Sequence, residues 1–162
     1  MAGESGGEPI RLGVISDTHG LLRPEVPEAL AGVDRILHAG DVGSREILDA
    51  LSRIAPVTAV RGNTDHGRWA DSLPPVEVVS LGAATIYLLH DLGALDLNPA
   101  AAGFQAVIFG HSHKPAVREN GGVLYLNPGS AGPRRFDYPV TAARVEVVGA
   151  RLAPRIVHLL ER

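Results

Sequence analysis

Five times in this chain a short apolar run stops abruptly at Asp, Asn or His. Ile10–Ile15 ends in Ser16-Asp17-Thr18-His19-Gly20, and Arg35–Leu37 in His38-Ala39-Gly40-Asp41. Val57–Val60 ends in Arg61-Gly62-Asn63-Thr64-Asp65, Thr85–Leu89 in His90, and Ala106–Phe109 in Gly110-His111-Ser112-His113. A short apolar run bounded by turn residues is the pattern of a strand buried on both faces. Such strands need layers on either side, which restricts the chain to an α/β architecture.

The segments between these runs fit that frame. Pro24–Gly32 has the spacing of a short helix, and Ser44 can cap a second helix from Arg45 to about Arg53, with Glu46 near its positive end. Strand, loop and helix therefore recur three times in the first half, as in a parallel sheet. After Pro74-Pro75, Val76–Leu81 and Thr85–Leu89 read as an antiparallel hairpin around Gly82-Ala83-Ala84. A weak helix is expected near Asn98–Ala102, a strand at Val123–Leu126 before Asn127-Pro128-Gly129-Ser130, and a closing hairpin from Val140–Val148 and Arg151–His158.

The chain has 162 residues, the size of one domain with a self-sufficient core. Met1–Pro9, rich in Gly and Glu, reads as a flexible tail, and residues 10–162 as the single domain. With no signal-like segment in that tail the expected address is cytoplasmic, and no apolar run approaches the roughly 20 residues that span a bilayer. A net charge of −3 with dispersed Lys and Arg lacks the basic stripe of a general nucleic-acid binder. The absence of cysteine excludes thiolate catalysis and thiolate-bound zinc, leaving imidazole, carboxylate and amide oxygen as ligand types.

In open α/β sheets ligands gather at the carboxyl ends of strands. Here those ends carry Asp17, His19, Asp41, Asn63, His90, His111 and His113. Two divalent ions about 3.5–4 Å apart need a bridging carboxylate, mixed O and N ligands and open positions for water and substrate, and this set supplies that inventory. Asp41 in its Gly-flanked turn can bridge, and Asn63 offers a neutral oxygen. Strand-end Asp, Asn and His also cap helices and satisfy turns without metal, so no one residue decides the matter. The agreement of five segments does. His38 suits a structural hydrogen bond behind the site, His158 a structural or exposed place, and His66 is ambiguous.

Together, Asp17-Thr18-His19, Gly40-Asp41, Gly62-Asn63-Thr64-Asp65, His90 and Gly110-His111-Ser112-His113 resemble the calcineurin-like metallophosphoesterase superfamily over nearly the whole chain. The length, with Asn127-Pro128-Gly129-Ser130 and Arg134-Arg135, resembles its small bacterial and archaeal phosphodiesterase branch. The resemblance implies a four-layer α/β/β/α sandwich of two mixed sheets. It implies Asp17, His19 and His113 on one metal, Asn63, His90 and His111 on the other, Asp41 between them, and a hydroxide shared by the ions as nucleophile toward a small phosphoester. Asn63, Asp65 and His66 are the catalytic candidates, and Asn63, Arg134 and Arg135 the substrate-binding ones. Manganese is the first expectation for the metal, with iron, nickel, cobalt or zinc as alternatives, and a homodimer is in keeping with related small enzymes. A phosphomonoesterase with the same site and a protein-interaction scaffold of the same fold are the competing readings.

Two positions depart from the family pattern. Thr64 stands where many members have His, and Thr is a poor general acid, so leaving-group protonation falls to His66, to metal-bound water, or to neither. Asp91 follows His90 where Gly is common.

Overall fold

The computed structural model describes residues 7–160. The tail expected over residues 1–9 therefore lies mostly outside the described residues. Among the described residues, ten strands form two five-stranded sheets. The first contains β1 (Ile10–Ile15), β2 (Arg35–His38), β3 (Val57–Ala59), β9 (Thr141–Val148) and β10 (Arg151–His158), in the order β10-β9-β1-β2-β3. The second contains β4 (Val76–Leu81), β5 (Ala84–Leu89), β6 (Ala106–Ile108), β7 (Ala116–Asn120) and β8 (Val123–Asn127), in the order β4-β5-β6-β8-β7.

Both sheets are mixed. β1, β2 and β3 run parallel, while β9 and β10 add antiparallel strands on the other side. β5, β6 and β8 run parallel between the antiparallel edge strands β4 and β7. The side-chain period of two decides what each face meets. Leu12, Val14, Leu37, Ala143, Val145 and Val147 of the first sheet point at Val79, Leu81, Ile86, Leu88, Ile108 and Leu126 of the second, making the dry layer between the sheets. Ile15, Ile36 and Ala142 face the other way, onto α1 (Val26–Ala29), α2 (Arg45–Ser52) and α3 (Arg68–Asp71) through Val26, Ile47, Leu51 and Trp69. The outer face of the second sheet, with Tyr87, Leu89, Val107 and Phe109, is covered by Leu92, Leu95 and Phe104. The expected four-layer α/β/β/α sandwich is present, with its fourth layer a 3-10 turn (Leu92–Ala94) and a loop in place of helices.

Several local expectations change. Asn98–Ala102 forms a turn and no helix: Asn98 Oδ1 accepts from the Ala101 N–H (3.2 Å) and its carbonyl from Ala102 (3.0 Å), and Pro99 and Gly103 end the matter there. Ser44 sits at the N-cap of α2 with extended backbone, yet its hydroxyl makes no capping bond. The first hairpin has a two-residue connection, Gly82-Ala83, with Gly82 at φ 59° as the first turn position requires. The tip of that hairpin donates from Ala83 N–H to Gly149 O (3.0 Å), which ties the two sheets together at the end away from the strand-end loops. Among the described residues no helix is long and apolar enough to cross a membrane.

Candidate metal centre

Because β1–β3 share one direction and β5 and β6 another within their own sheet, the strand-end loops of both sheets converge. The loop after β1 is zipped to the loop after β2 by three backbone bonds, Asp17 N–H to Gly40 O (3.0 Å), His19 N–H to Asp41 O (2.9 Å) and Gly20 N–H to Val42 O (2.9 Å). Gly110 N–H donates to His90 O (2.9 Å), which joins the loops after β5 and β6. His111 N–H then donates to Asp17 Oδ2 (3.1 Å) across the gap between the sheets. Gly40 sits at φ 103°, where a Cβ would lie 2.7 Å from His90 Nδ1, so both its conformation and its lack of side chain are used.

The backbone is strained where the ligand candidates stand. Asp17 (φ 56°), His19 (48°), Asp41 (56°), His111 (74°) and His113 (66°) are all left-handed, and among the described residues only Phe136 joins them outside glycine. Each such residue costs on the order of 1 kcal/mol, and strain of this kind concentrates at functional sites where the surroundings enforce it. It turns five polar side chains inward that ordinary strand geometry would have alternated or exposed.

The inward atoms form two adjoining groups. In the first, His113 Nε2 lies 3.3 Å and His19 Nε2 3.6 Å from Asp17 Oδ1, and the two imidazole nitrogens are 3.3 Å apart. In the second, His90 Nε2 lies 3.3 Å from Asp41 Oδ2, 2.9 Å from Asn63 Oδ1 and 3.3 Å from His111 Nδ1. Donor atoms that share one ion at roughly 2.0–2.2 Å stand about 3–3.5 Å apart along the edges of its coordination polyhedron, which is the spacing seen in both groups. Asp41 Oδ2 faces both, at 3.7 Å from His19 Nε2 as well as 3.3 Å from His90. Asp17 Oδ1 is buried and accepts no hydrogen bond from any ordinary donor. A buried carboxylate oxygen left that way costs free energy unless a cation completes it, so the donor set fits divalent metal.

The titration behaviour points the same way. Burial on its own would raise Asp17, but His113, His19 and the Ser16 hydroxyl outweigh it and hold the carboxyl well below the ordinary carboxylate range. Burial also opposes ionisation of Asp41, and His90 with the Thr64 N–H brings it down to about 2. His90 is raised despite burial, because Asp41 and Asp17 favour its charged form. Two ionised carboxylates thus sit in a buried pocket of imidazoles, an arrangement suited to receiving cations.

Behind the ligands stands a second set of polar groups. Asp65 accepts from the N–H groups of Gly62 (2.9 Å), Gly43 (3.0 Å) and Val42 (3.2 Å), so both its oxygens are spent on fastening the Asn63 loop to the Asp41 loop. His90 Nδ1 is 2.8 Å from Ala39 O, which leaves Nε2 for the cluster. Ser130 Oγ donates to Asp17 O (3.0 Å), and Asn127 Nδ2 to Gly110 O (3.1 Å). These two were legible only as polar residues ending one more apolar run. His38 is fully buried, its Nδ1 accepting from Gly40 N–H (3.1 Å) and its Nε2 3.0 Å from Thr18 Oγ1, which donates to Val42 O (2.7 Å). His66 is exposed in the loop just after Asp65, and Arg134 and Arg135 are exposed in the loop that leaves Gly132, whose carbonyl accepts from Arg23 Nε (2.9 Å). None of these three reaches the cluster by a hydrogen bond. His158 is exposed at the end of β10, away from the site.

Burial pushes His38 down to about 4. The unfolded chain, with His near 6.5, binds the proton that the folded chain refuses, so this residue's contribution is intact above pH 6.5 and is lost as pH falls from about 6.5 to about 4, by on the order of 3 kcal/mol. Urea midpoints of metal-free wild type and His38→Gln at pH 7 and pH 4 test this. The wild type is expected to lose more stability between the two pH values than the variant, and equal losses would contradict it.

Comparison with known proteins agrees with the geometry. Residues 10–150 match the calcineurin-like phosphoesterase superfamily domain. A probable metallophosphoesterase of Methanothermobacter thermautotrophicus is 35% identical over 159 residues, covering 90% of this chain and 91% of that protein. Among solved structures, vacuolar protein sorting 29 from Cryptosporidium parvum superposes with a TM-score of 0.81 at 25% identity, covering 94% of this chain and 93% of that one. An archaeal phosphodiesterase superposes with a TM-score of 0.75 at 20% identity, over 91% of this chain and 99% of the other, a likeness of fold. The strained loops, the two donor groups and the matched length all lead to one assignment: this chain belongs to the calcineurin-like phosphoesterase superfamily.

Proposed function

We propose that the protein is a phosphodiesterase that works with two divalent ions, manganese first among them. The observation that carries this reading is the pair of adjoining donor groups, with Asp41 Oδ2 within 3.7 Å of His19 in one and 3.3 Å of His90 in the other. Asp17, His19 and His113 would hold one ion, Asn63, His90 and His111 the other, with Asp41 shared. The ions would supply a shared hydroxide as nucleophile and neutralise charge gathering on the phosphoryl oxygens. The chain's own part is to fix the donors: Asp65 clamps the Asn63 and Asp41 loops, and the His90 bond to Ala39 O orients the ring. The exposed Asn63 is available to substrate as well as to metal. With Thr64 at the position where many relatives have His, the site lacks an obvious proton donor and favours esters with good leaving groups. The proposed substrate is a small phosphoester met in the cytoplasm, with no general nucleic-acid binding and no membrane partner, and a homodimer is the proposed assembly.

The test is hydrolysis of bis-p-nitrophenyl phosphate by chelator-stripped protein, with and without added manganese, beside the matched monoester. Manganese-dependent turnover that favours the diester is expected. A clear monoester preference would make this a phosphomonoesterase. The absence of turnover with every divalent metal would favour the scaffold reading, which the likeness to vacuolar protein sorting 29 keeps in view.

A further inference from the structure

A small cavity of about 250 Å³ opens beside the second donor group, and Asn63 and His90 form part of its wall. The rest of that wall is mainly carbon, from Pro75, Val76, Leu89 and Ala94. Larger hollows, of about 680 Å³ near Leu97 and Tyr125 and about 350 Å³ near Arg144 and Arg155, share no residue with the metal cluster. Size therefore does not single out the cavity at Asn63, but its position does.

Most of the polar groups around this cavity are engaged by the protein. His90 uses Nδ1 on Ala39 O and turns Nε2 toward Asn63 and Asp41. Asp91 Oδ1 accepts from Gly93 N–H (2.9 Å), and that bond starts the 3-10 turn Leu92–Ala94 which brings Ala94 to the wall. The departure from the family pattern at Asp91 thus acquires a consequence, since glycine there has no side chain to begin this turn. On the opposite flank Arg61 N–H donates to Pro74 O (2.9 Å), which fastens the Pro74-Pro75 segment to the end of β3, while the Arg61 guanidinium lies 4.0 Å from Asp71. What remains to offer a ligand is mainly apolar surface next to two metal-ligand candidates, with the partly exposed Arg61 guanidinium at its rim.

We propose that this cavity is the subsite for an uncharged apolar or aromatic substituent of the phosphoester, a proposal that rests on the phosphoesterase reading of the centre. A phosphate held at Asn63 and His90 places its ester group at the cavity mouth. An apolar cavity of about 150 Å³ is enough to hold benzene, so one ring of aryl or nucleobase size fits. Ligand sites of this kind combine apolar walls with a few polar groups that fix orientation, and here the metal centre supplies the latter.

The test measures binding of diphenyl phosphate and dimethyl phosphate to the zinc-loaded full chain by calorimetry. Wild type is expected to bind the diphenyl ester about tenfold tighter or more, as burial of an aryl ring implies. Ala94→Phe, at an exposed position where added bulk fills the cavity without touching the core, should erase that preference and leave dimethyl phosphate unchanged. Val76→Ala, on another wall, should weaken diphenyl phosphate alone. Equal binding of the two esters by wild type, a preference that survives Ala94→Phe, or failure of both esters to bind overturns the subsite. Hydrolysis is read separately. Metal-dependent turnover without the aryl preference sinks the subsite and spares the phosphodiesterase, whereas an intact preference without turnover does the reverse.

Discussion

Replacing Asp41 with alanine is expected to lower metal-dependent turnover by about 10³-fold or more and to take the bound metal from two ions per chain to one or fewer. Asp41 Oδ2 stands within reach of both donor groups, 3.3 Å from His90 and 3.7 Å from His19. An ion acting on phosphoryl oxygen supplies several kcal/mol to the transition state, and each 1.36 kcal/mol is a factor of ten. Removal of the shared carboxylate also leaves His19 and His90 without the negative charge that draws a cation between them. The fold should survive, because the loop bonds through the backbone of Asp41 remain and only the Thr64 N–H loses its acceptor, Oδ1 (2.9 Å). Asp41→Asn, which keeps that acceptor, separates the two effects: it should restore any lost stability while turnover stays low. Metal analysis and kinetics of the two variants check this. Two ions per chain and near-wild-type turnover in Asp41→Ala would remove the basis of the two-ion reading.

The parts of the molecule that could be read from sequence are those where burial and chemistry coincide. The buried parallel strands β1, β2 and β6 appear as apolar runs because both faces are covered, and their last residues are conspicuous because polar groups interrupt such runs. The edge strand β7 was invisible for the complementary reason. Ala116–Asn120 is largely exposed, so Arg118, Glu119 and Asn120 carry no apolar pattern, and only pairing with β8 makes it a strand. The four-residue α3 is likewise too short for a helical period, and it packs Trp69 under the first sheet. In the site, spacing identifies the donors but says nothing of the left-handed backbone that aims them. Nor does it show that Asp65 turns to backbone amides, since an Asp two residues from a ligand candidate looks the same in sequence whichever way it points. The apolar cavity at Ala94 was hidden as well, because its walls come from β4, β5, the Arg61 loop and the turn after Asp91.

Gly62→Ala is expected to have a large structural effect for a single added methyl group. Gly62 has ordinary backbone torsions, so its requirement is for space and owes nothing to conformational freedom. A Cβ there would stand 2.2 Å from the backbone nitrogen of Asp41 and 2.1 Å from Asp41 Oδ1. Neither can step aside alone, for the loop after β2 is bonded on one side to the loop after β1 and on the other, through Asp65, to Gly62 itself. The loops must separate, which breaks the Asp65 clamp and moves Asn63 relative to Asp41, the two donors that flank His90. Overpacking of a tight site typically costs 1–3 kcal/mol, so a clear fall in the metal-free Tm of about 5 °C or more is expected for a chain of this size. The second donor group should lose its ion before the first, because Asp17, His19 and His113 sit on the other side of Asp41 and keep their spacing. Graded metal titration of the variant would then show one site near wild-type affinity and one strongly weakened. Uniform weakening of both sites would mean instead that the loops move as one rigid unit, and unchanged Tm with unchanged metal affinity would show that the space beside Asp41 is not confined.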